Sequence, residues 1–348
     1  MTDRPIVIHM FSGGLDSILA ARILKDEGLE VVALHFYTGF NDTMPREIGR
    51  GYSGTWEPPE YVVEAARRLD IELLPLDVSG EEYVRMLLDP RYGYGSAANP
   101  CIDCRILLLT KAREVMEERG AILVSTGEVL GQRPMSQHKN AMNAVEKRSG
   151  LAGRLLRPLS AKLFPPTIPE TGGIINRDHL YDIEGRSRKR QQELAERFGI
   201  NYFPTPGGGC ILTAVQFGVK FHDLLSHTGK KDVDGRLLAS LLTGRHLRLE
   251  SGVKLIVGRD ERDNDYLEGV LGNDYWRFRA RDFLGPIVFA TDEPGEEDFT
   301  TIAAITARYG KGSKEASVVI VAEKGDMSRE IEVVPATPDV TDRLLLTR

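Results

Sequence analysis

The sequence has little cysteine, and its three thiols, Cys101, Cys104 and Cys210, are odd in number. That count argues against a disulfide framework. No long uncharged apolar run is present, so no membrane-spanning helix is expected. The opening Met-Thr-Asp-Arg-Pro runs straight into an apolar stretch and lacks a signal-peptide pattern, which reads as a cytoplasmic chain. A dominant charge is missing too. The net charge is −6, from 45 Lys and Arg against 51 Asp and Glu. From Leu241 onward 15 basic residues face 20 acidic ones, and the first 240 residues hold 30 and 31. Any nucleic-acid site must therefore be a local patch rather than a global field. There are no internal repeats and no low-complexity tracts. At 348 residues and 41% hydrophobic, the chain suits roughly two ordinary globular domains.

What is present is organised around Ser12-Gly13-Gly14-Leu15-Asp16-Ser17. It lies between an apolar run, Ile6 to Phe11, and an apolar-periodic stretch, Ile18 to Leu24, which reads as strand, turn, helix. Adjacent glycines allow a tight turn and a close approach to a ligand. The helix behind them offers unpaired N–H groups and a positive dipole end, a ready anion site. Ser12 and Ser17 add hydroxyl donors, and Asp16 can hold Mg²⁺ among phosphates. No Gly-Lys-Ser/Thr follows, so this is not a Walker loop.

Strands are predicted at Val31–Tyr37, Ile71–Val78 and Ala121–Ser125, with helices from Pro58-Pro59, over Glu81–Leu88, and from about Ile102 to Glu118. This alternation predicts an α/β fold with a doubly wound parallel sheet. Ligands of such sheets bind beyond the carboxyl ends of the strands. The Gly-rich turn, His35 and Phe36, and Thr126-Gly127-Glu128 would converge there, with Gln132, Arg133, Gln137, His138 and Lys139 near the same mouth. The loop from Thr38 to Trp56 is long enough to be functional. A basic cluster, Arg186, Arg188, Lys189 and Arg190, heads a helix running to about Phe198 and is the best phosphate candidate. From Gly244 a smaller α+β module is predicted: a hairpin through Glu250-Ser251-Gly252, further strands, and a helix over Phe299–Tyr309. Trp276 reads as part of its core. The expected domains are 1–170, 171–240 and 241–348.

Three thiolates can hold three irons of a [4Fe–4S] cluster. Cys101 and Cys104 come from one turn; Cys210 follows three glycines that would let the backbone bend closely. Structural zinc, completed by His138 or His179, is the lesser alternative. A persulfide relay between Cys104 and Cys210 is another, and three inert cysteines a fourth. A nucleotide-activating loop beside sulfur-handling cysteines suggests ATP-driven thiolation. Adenylation turns a carbonyl oxygen into a good leaving group, and sulfide or a persulfide attacks the carbon.

The hexapeptide resembles the PP-loop of the ATP pyrophosphatases, which split ATP between the α and β phosphates. Residues 1 to about 228 resemble the PP-loop tRNA thiolases, especially the 2-thiouridylases and 4-thiouridine synthetases. In the 2-thiouridylases an Asn-Pro-Asp-x-x-Cys segment carries an Asp and a Cys; here Asn99-Pro100-Cys101-Ile102-Asp103-Cys104 has Cys in place of that Asp. The two-Cys variant with a third Cys later implies the iron–sulfur type. Gly127-Glu128-Val129-Leu130-Gly131-Gln132 resembles a stretch of the 4-thiouridine synthetases. Gly244 to about Lys324 resembles the RNA-binding domain of the NFACT family, at Val257-Gly258-Arg259, Asn264-Asp265, Asp274-Tyr275-Trp276 and Tyr309-Gly310-Lys311. Phe278 and Pro286 depart from that family's His and Ser.

The resemblance implies an adenine nucleotide hydrolase-like fold and ATP-dependent thiolation of a tRNA uridine. Phe11, Ser12, Gly13, Gly14, Asp16, Ser17, His35, Phe36 and Gly127 would bind ATP, and Asp16 would hold Mg²⁺. Cys101, Cys104 and Cys210 would hold the cluster or relay sulfur, acting in catalysis with Asp16. Arg186, Arg188, Lys189 and Arg190 would guide tRNA. The sulfur donor would be inorganic sulfide or a persulfide carrier, and assembly as a homodimer stays open. Two competing classes are a sulfurtransferase or ligase acting on a free small molecule, and a non-catalytic RNA-binding protein.

Overall fold

The structure, a computed structural model, describes residues 4–40, 57–204 and 210–346. They divide into two compact units. The first takes residues 4–40, 57–95, 99–204 and Cys210, and the second takes 96–98 and 211–346. Residues 41–56, most of the long loop after the second strand, and 205–209, the glycines before Cys210, lie outside the described residues.

The first unit runs β1 (Ile6–Met10), α1 (Leu15–Asp26), β2 (Glu30–Tyr37), α2 (Glu60–Leu69), β3 (Glu72–Asp77), α3 (Glu81–Leu88), α4 (Cys101–Glu118), β4 (Leu123–Thr126), α5 (Lys139–Arg148), β5 (Leu155–Leu156), α6 (Ile168–Thr171) and α7 (Lys189–Arg197). All five strands are parallel, in the order β3-β2-β1-β4-β5. The doubly wound sheet predicted from the alternation is therefore present.

Side chains alternate along each strand, and both faces are covered. Val7, Val31 and Ala33 join one core with Ile18 and Leu19 of α1 and Val62, Ala65 and Leu69 of α2. Ile8, Val32 and Leu34 join the other with Leu109, Ala112 and Val115 of α4 and Val145 of α5. Fully burying each such aliphatic side chain contributes about 1.5–3 kcal/mol. Leu159, Ile175, Leu180, Ile183 and Leu194 extend the first core, so residues up to Ile200 belong to this unit's packing. Tyr61 of α2 is 37% exposed and does not join that core. Its ring covers Gly13 instead, within 3.0 Å of where a Cβ there would stand.

The sheet order matters for function. The chain leaves β1 for β2 on one side, while β4 pairs with its other side. The crevice beyond the carboxyl ends of β1 and β4 is thus a topological switch point, where ligands of open α/β sheets bind.

The second unit runs α8 (Val215–His227), α9 (Gly235–Ser240), β6 (Arg245–Arg248), β7 (Lys254–Val257), α10 (Glu261–Leu271), β8 (Trp276–Ala280), β9 (Val288–Ala290), α11 (Glu296–Tyr309), β10 (Val318–Lys324), β11 (Met327–Val333) and α12 (Pro338–Leu344). Its six strands form an antiparallel sheet, β11-β10-β8-β9-β7-β6, against which α11 packs Phe299, Ile302 and Ala303. Trp276 is core, as predicted. It meets Phe299 edge-on at 4.9 Å between centroids and donates its indole N–H to Glu293.

Candidate active site at the carboxyl ends of the parallel strands

The Gly-rich turn connects β1 to α1. Gly13 has φ +71°, a left-handed conformation that favours glycine. Ser17 Oγ donates to Gly14 O at 2.9 Å and lies 3.2 Å from Ser12 Oγ, so both hydroxyls are held at the helix start. Two histidines brace the turn from below. His9 Nε2–H donates to Ser17 O at 2.9 Å, and His35 Nδ1–H donates to Phe11 O at 2.7 Å. Burial lowers His9 to a pKa of about 4 and lowers His35 as well, which keeps both rings neutral. His9 was hidden in the sequence inside an apolar strand; only its partner reveals its role.

Gly127 completes the cradle. A Cβ there would sit 2.6 Å from the carbonyl carbon of Asp16 and from Ser17 N. Those are backbone atoms, so nothing flexible can yield. Gly127→Ala is expected to push the first turn of α1 away from β4 and to cost roughly 1–3 kcal/mol of stability. Thermal unfolding of the variant checks this; an unchanged midpoint would show that the loop yields freely.

Asp16 is the most constrained acid of the site. Its Oδ2 accepts from Gln132 Nε2 at 3.0 Å and lies 3.9 Å from Arg188 Nη2. Its Oδ1 is buried with no hydrogen-bond partner among the described residues. Burial raises its pKa, opposed by Gln132, Arg188 and Arg133. A buried carboxylate oxygen without a donor beside two serine hydroxyls fits a hard cation such as Mg²⁺.

A cavity of about 290 Å³ opens over the turn. It is lined by Phe11, Ser12, Asp16, Ser17, His35, Phe36, Gly127, Gln132, Arg133 and Gln137, and by Arg105 and Leu108 of α4. The predicted nucleotide-site residues Phe11, Ser12, Asp16, Ser17, His35, Phe36 and Gly127 thus share one space. Gly13 and Gly14 form the turn beneath it. Of the other polar residues read near the mouth, His138 instead caps α5, its Nδ1 accepting from Ala141 N at 3.2 Å.

Arg105, Arg157 and Glu128 form a buried network that sequence reading did not assemble. Glu128 is 5% exposed and Arg157 2% exposed. Arg105 Nε lies 3.1 Å from Glu128 Oε1, and Arg157 reaches Glu128 Oε2 at 3.5 Å and Glu146 Oε2 at 3.0 Å. Burial alone would raise the Glu128 pKa, but Arg105 and Arg157, with the Thr126 hydroxyl, outweigh it and lower the carboxyl pKa from its usual value. The network ties the Gly127-Glu128 segment to α4, the helix that begins with the cysteines.

Cys101 accepts from Asn99 Nδ2 at 3.2 Å, and Cys104 lies 3.5 Å from the Tyr83 hydroxyl. Burial pushes the Cys104 thiol up, with Tyr83 and Arg105 opposing and Cys101 adding to the rise. Tyr83 feels both Cys104 and Cys210, so it lies near these two thiols. Thiols suit iron–sulfur ligation in type. Among the described residues, however, no three Cys, His, Asp or Glu side chains are grouped to hold one metal ion. Both histidines offered to zinc are engaged elsewhere: His138 as a helix cap and His179 against Glu27. Asp103 does not replace the acid missing from the segment. It accepts from the backbone N–H of Arg91 and Tyr92 and pins that loop.

The basic cluster is split. Arg188 turns toward Asp16, Arg190 pairs with Asp182 at 2.7 Å, and Arg186 and Lys189 are exposed.

Residues 5–147 match the family model of the tRNA methyl transferase HUP domain. Residues 244–343 match the NFACT protein RNA binding domain. Among curated proteins, the chain is 34% identical over 210 residues to the tRNA-specific 2-thiouridylase MnmA of Thermus thermophilus, covering 56% of this chain and 50% of that one. It is 30% identical over 130 residues to the enzyme of the same name from Petrotoga mobilis, covering 36% and 35%. The chain thus spans about a third to a half of the length of these relatives. A solved 4-thiouridine synthetase–RNA complex with bound ATP is 16% identical, with a TM-score of 0.35, covering 56% of this chain and 52% of that one. Among the described residues no helix is long and apolar enough to cross a membrane.

Proposed function

We propose that this PP-loop protein uses ATP to thiolate a uridine carbonyl of tRNA. One observation carries the reading: α4 supplies both a wall of the nucleotide cavity, through Arg105 and Leu108, and the thiol of Cys104 one residue earlier. Activation and sulfur delivery would then meet at one helix.

The Gly-rich turn and the start of α1 bind the phosphates of ATP, with Ser12 and Ser17 as hydroxyl donors. Asp16 would hold Mg²⁺, which offsets charge on the phosphates when bound. The base carbonyl oxygen attacks the α phosphorus, the α–β bridging bond breaks, and pyrophosphate leaves with the electron pair. The base is now bonded to AMP through oxygen. A persulfide carrier passes its outer sulfur to one cysteine thiolate and leaves as a thiol; the terminal sulfur of the resulting persulfide attacks that carbon and expels AMP. A second cysteine thiolate attacks the carrier sulfur, which frees the thiocarbonyl and leaves a disulfide that a thiol reductant resets. Cys104 and Cys210, both coupled to Tyr83, are the pair for this exchange. In the alternative reading Cys101, Cys104 and Cys210 would instead hold a [4Fe–4S] cluster. Iron and acid-labile sulfide in anaerobically purified protein separate cluster-borne from thiol-borne sulfur. The exposed Arg186, Lys189 and Arg190 and the NFACT-like unit are the candidate tRNA contacts.

The test is a thionucleoside assay. The protein, purified and iron-reconstituted without oxygen, is given ATP, Mg²⁺, a thiol reductant and unmodified tRNA with either a persulfide donor or sulfide, and the digested tRNA is analysed by mass spectrometry. An ATP-dependent thiouridine is the expected product, and its isomer distinguishes C2 from C4. Absence of thionucleoside, with pyrophosphate released only on a small metabolite, would overturn the tRNA reading.

A further inference from the structure

The polar shell around Asp16 is only half explained by the Gly-rich turn. Gln132 and Arg133 supply part of the rest, and the start of α7 supplies Arg188 and Gln191. Arg188 Nη2 lies 3.9 Å from Asp16 Oδ2, longer than a direct hydrogen bond. Three residues on, Gln191 is 0% exposed. Neither its amide oxygen nor its nitrogen has a hydrogen-bond partner among the described residues. Its amide is near enough to favour the ionised Asp16 carboxyl, yet it makes no hydrogen bond of ordinary geometry with it. Residues three apart on a helix share a face, so Arg188 and Gln191 address the same space.

A buried primary amide with both ends unsatisfied is costly. Here it stands beside a buried carboxylate oxygen that is also unsatisfied, and a guanidinium that only approaches its counter-ion. Such a cluster fits a missing ligand that is anionic and comes with a cation. The cation would take the Asp16 oxygen, and the anion would take the guanidinium and the amide N–H. We propose that Arg188 and Gln191 form the subsite for the β and γ phosphates of ATP, and so for the pyrophosphate that leaves. This separates Arg188 from its neighbours: Arg190 is paired with Asp182, and Arg186 and Lys189 are exposed. The inference rests on the reading of the Gly-rich turn as an ATP site.

During adenylation the bond between the α phosphorus and the α–β bridging oxygen breaks, and that oxygen keeps the electron pair. Negative charge therefore grows on pyrophosphate. Arg188 can meet it with two N–H donors in one plane, which a lysine cannot do.

The experiment measures equilibrium binding of ATP, pyrophosphate and AMP to the full chain in Mg²⁺, for wild type, Arg188→Ala, Arg188→Lys, Gln191→Leu and Gln192→Ala. Gln192 is exposed on the same helix and is the control. Arg188→Ala should weaken ATP and pyrophosphate roughly ten- to hundredfold, the usual worth of hydrogen bonds to a charged group. AMP, which lacks the β and γ phosphates, should bind as to wild type. Arg188→Lys should fall between, and Gln191→Leu should show the same ATP-selective loss. Thermal unfolding confirms that each variant is folded. Equal weakening of AMP, or ATP and pyrophosphate binding unchanged in Arg188→Ala, would overturn the subsite. Wild-type protein binding none of the three would instead sink the ATP reading of the turn.

Discussion

Cys104→Ser should abolish thiouridine formation while leaving pyrophosphate release from ATP largely intact. Serine nearly matches cysteine in size, and Arg105 and Leu108, which line the cavity from the same helix, keep their places. The oxygen cannot hold a transferable sulfur, so loss of the nucleophile should cost at least about a thousandfold in thiolation rate. The two half-reactions thus come apart. In the proposed mechanism adenylation depends on the turn, Asp16 and the cavity, and sulfur delivery on Cys104 and Cys210, the two thiols near Tyr83. The measurement pairs thionucleoside yield with pyrophosphate release on the same tRNA, and adds iron content. Thiolation within tenfold of wild type would remove Cys104 from the sulfur path. Full loss of both half-reactions would mean that the thiol supports the cavity itself.

The sequence revealed those parts of the site whose chemistry is local. Ser12 to Ser17 declare a turn before a helix because glycines and hydroxyls crowd one junction, and that junction sits where expected. The buried strands declare themselves as short apolar runs. What stayed hidden depends on partners far along the chain. Arg105 and Arg157 look like ordinary basic residues until Glu128 stands between them. His9 looks like a flaw in an apolar strand until it meets Ser17 O. Arg188 read as one member of a basic cluster that would guide tRNA, yet it turns inward to Asp16. Some elements escaped for a different reason. Helix α5 buries only Ala141, Met142 and Val145, and α10 opens Glu-Arg-Asp-Asn-Asp before its buried Leu267, Val270 and Leu271. A stripe so thin is hard to tell from a polar loop. Strand β11 shows the same problem at the edge of its sheet, where Met327-Ser328-Arg329-Glu330 is mostly exposed.

Glu128→Gln should be the most destabilising change in the first unit. The amide keeps the shape of the carboxyl but cannot balance two guanidinium groups. Arg157, 2% exposed, would retain Glu146, whereas Arg105 has no other ion pair among the described residues. Breaking a buried ion pair from one side costs roughly 3–5 kcal/mol, a large share of the stability of a domain. The loss should depend on pH. Burial raises the Glu128 pKa in the fold, and the two arginines together with Thr126 lower it further than that, so unfolding lets the carboxyl take up a proton more readily. Its contribution is therefore complete above the ordinary carboxylate pKa and is lost as pH falls through the lower, folded value. Wild type and Glu128→Gln should differ most near neutral pH and converge in acid, where wild type is protonated as well. Because the second unit does not contain this network, amide hydrogen exchange in β4 and α4 is the suitable measurement, since it reports the first unit by itself. The expected result is much faster exchange there in the variant at neutral pH, with β7 and α11 unchanged. Equal protection at neutral pH would mean that the pair merely offsets its own desolvation, and Glu128 would then be retained for positioning Arg105 over the nucleotide cavity.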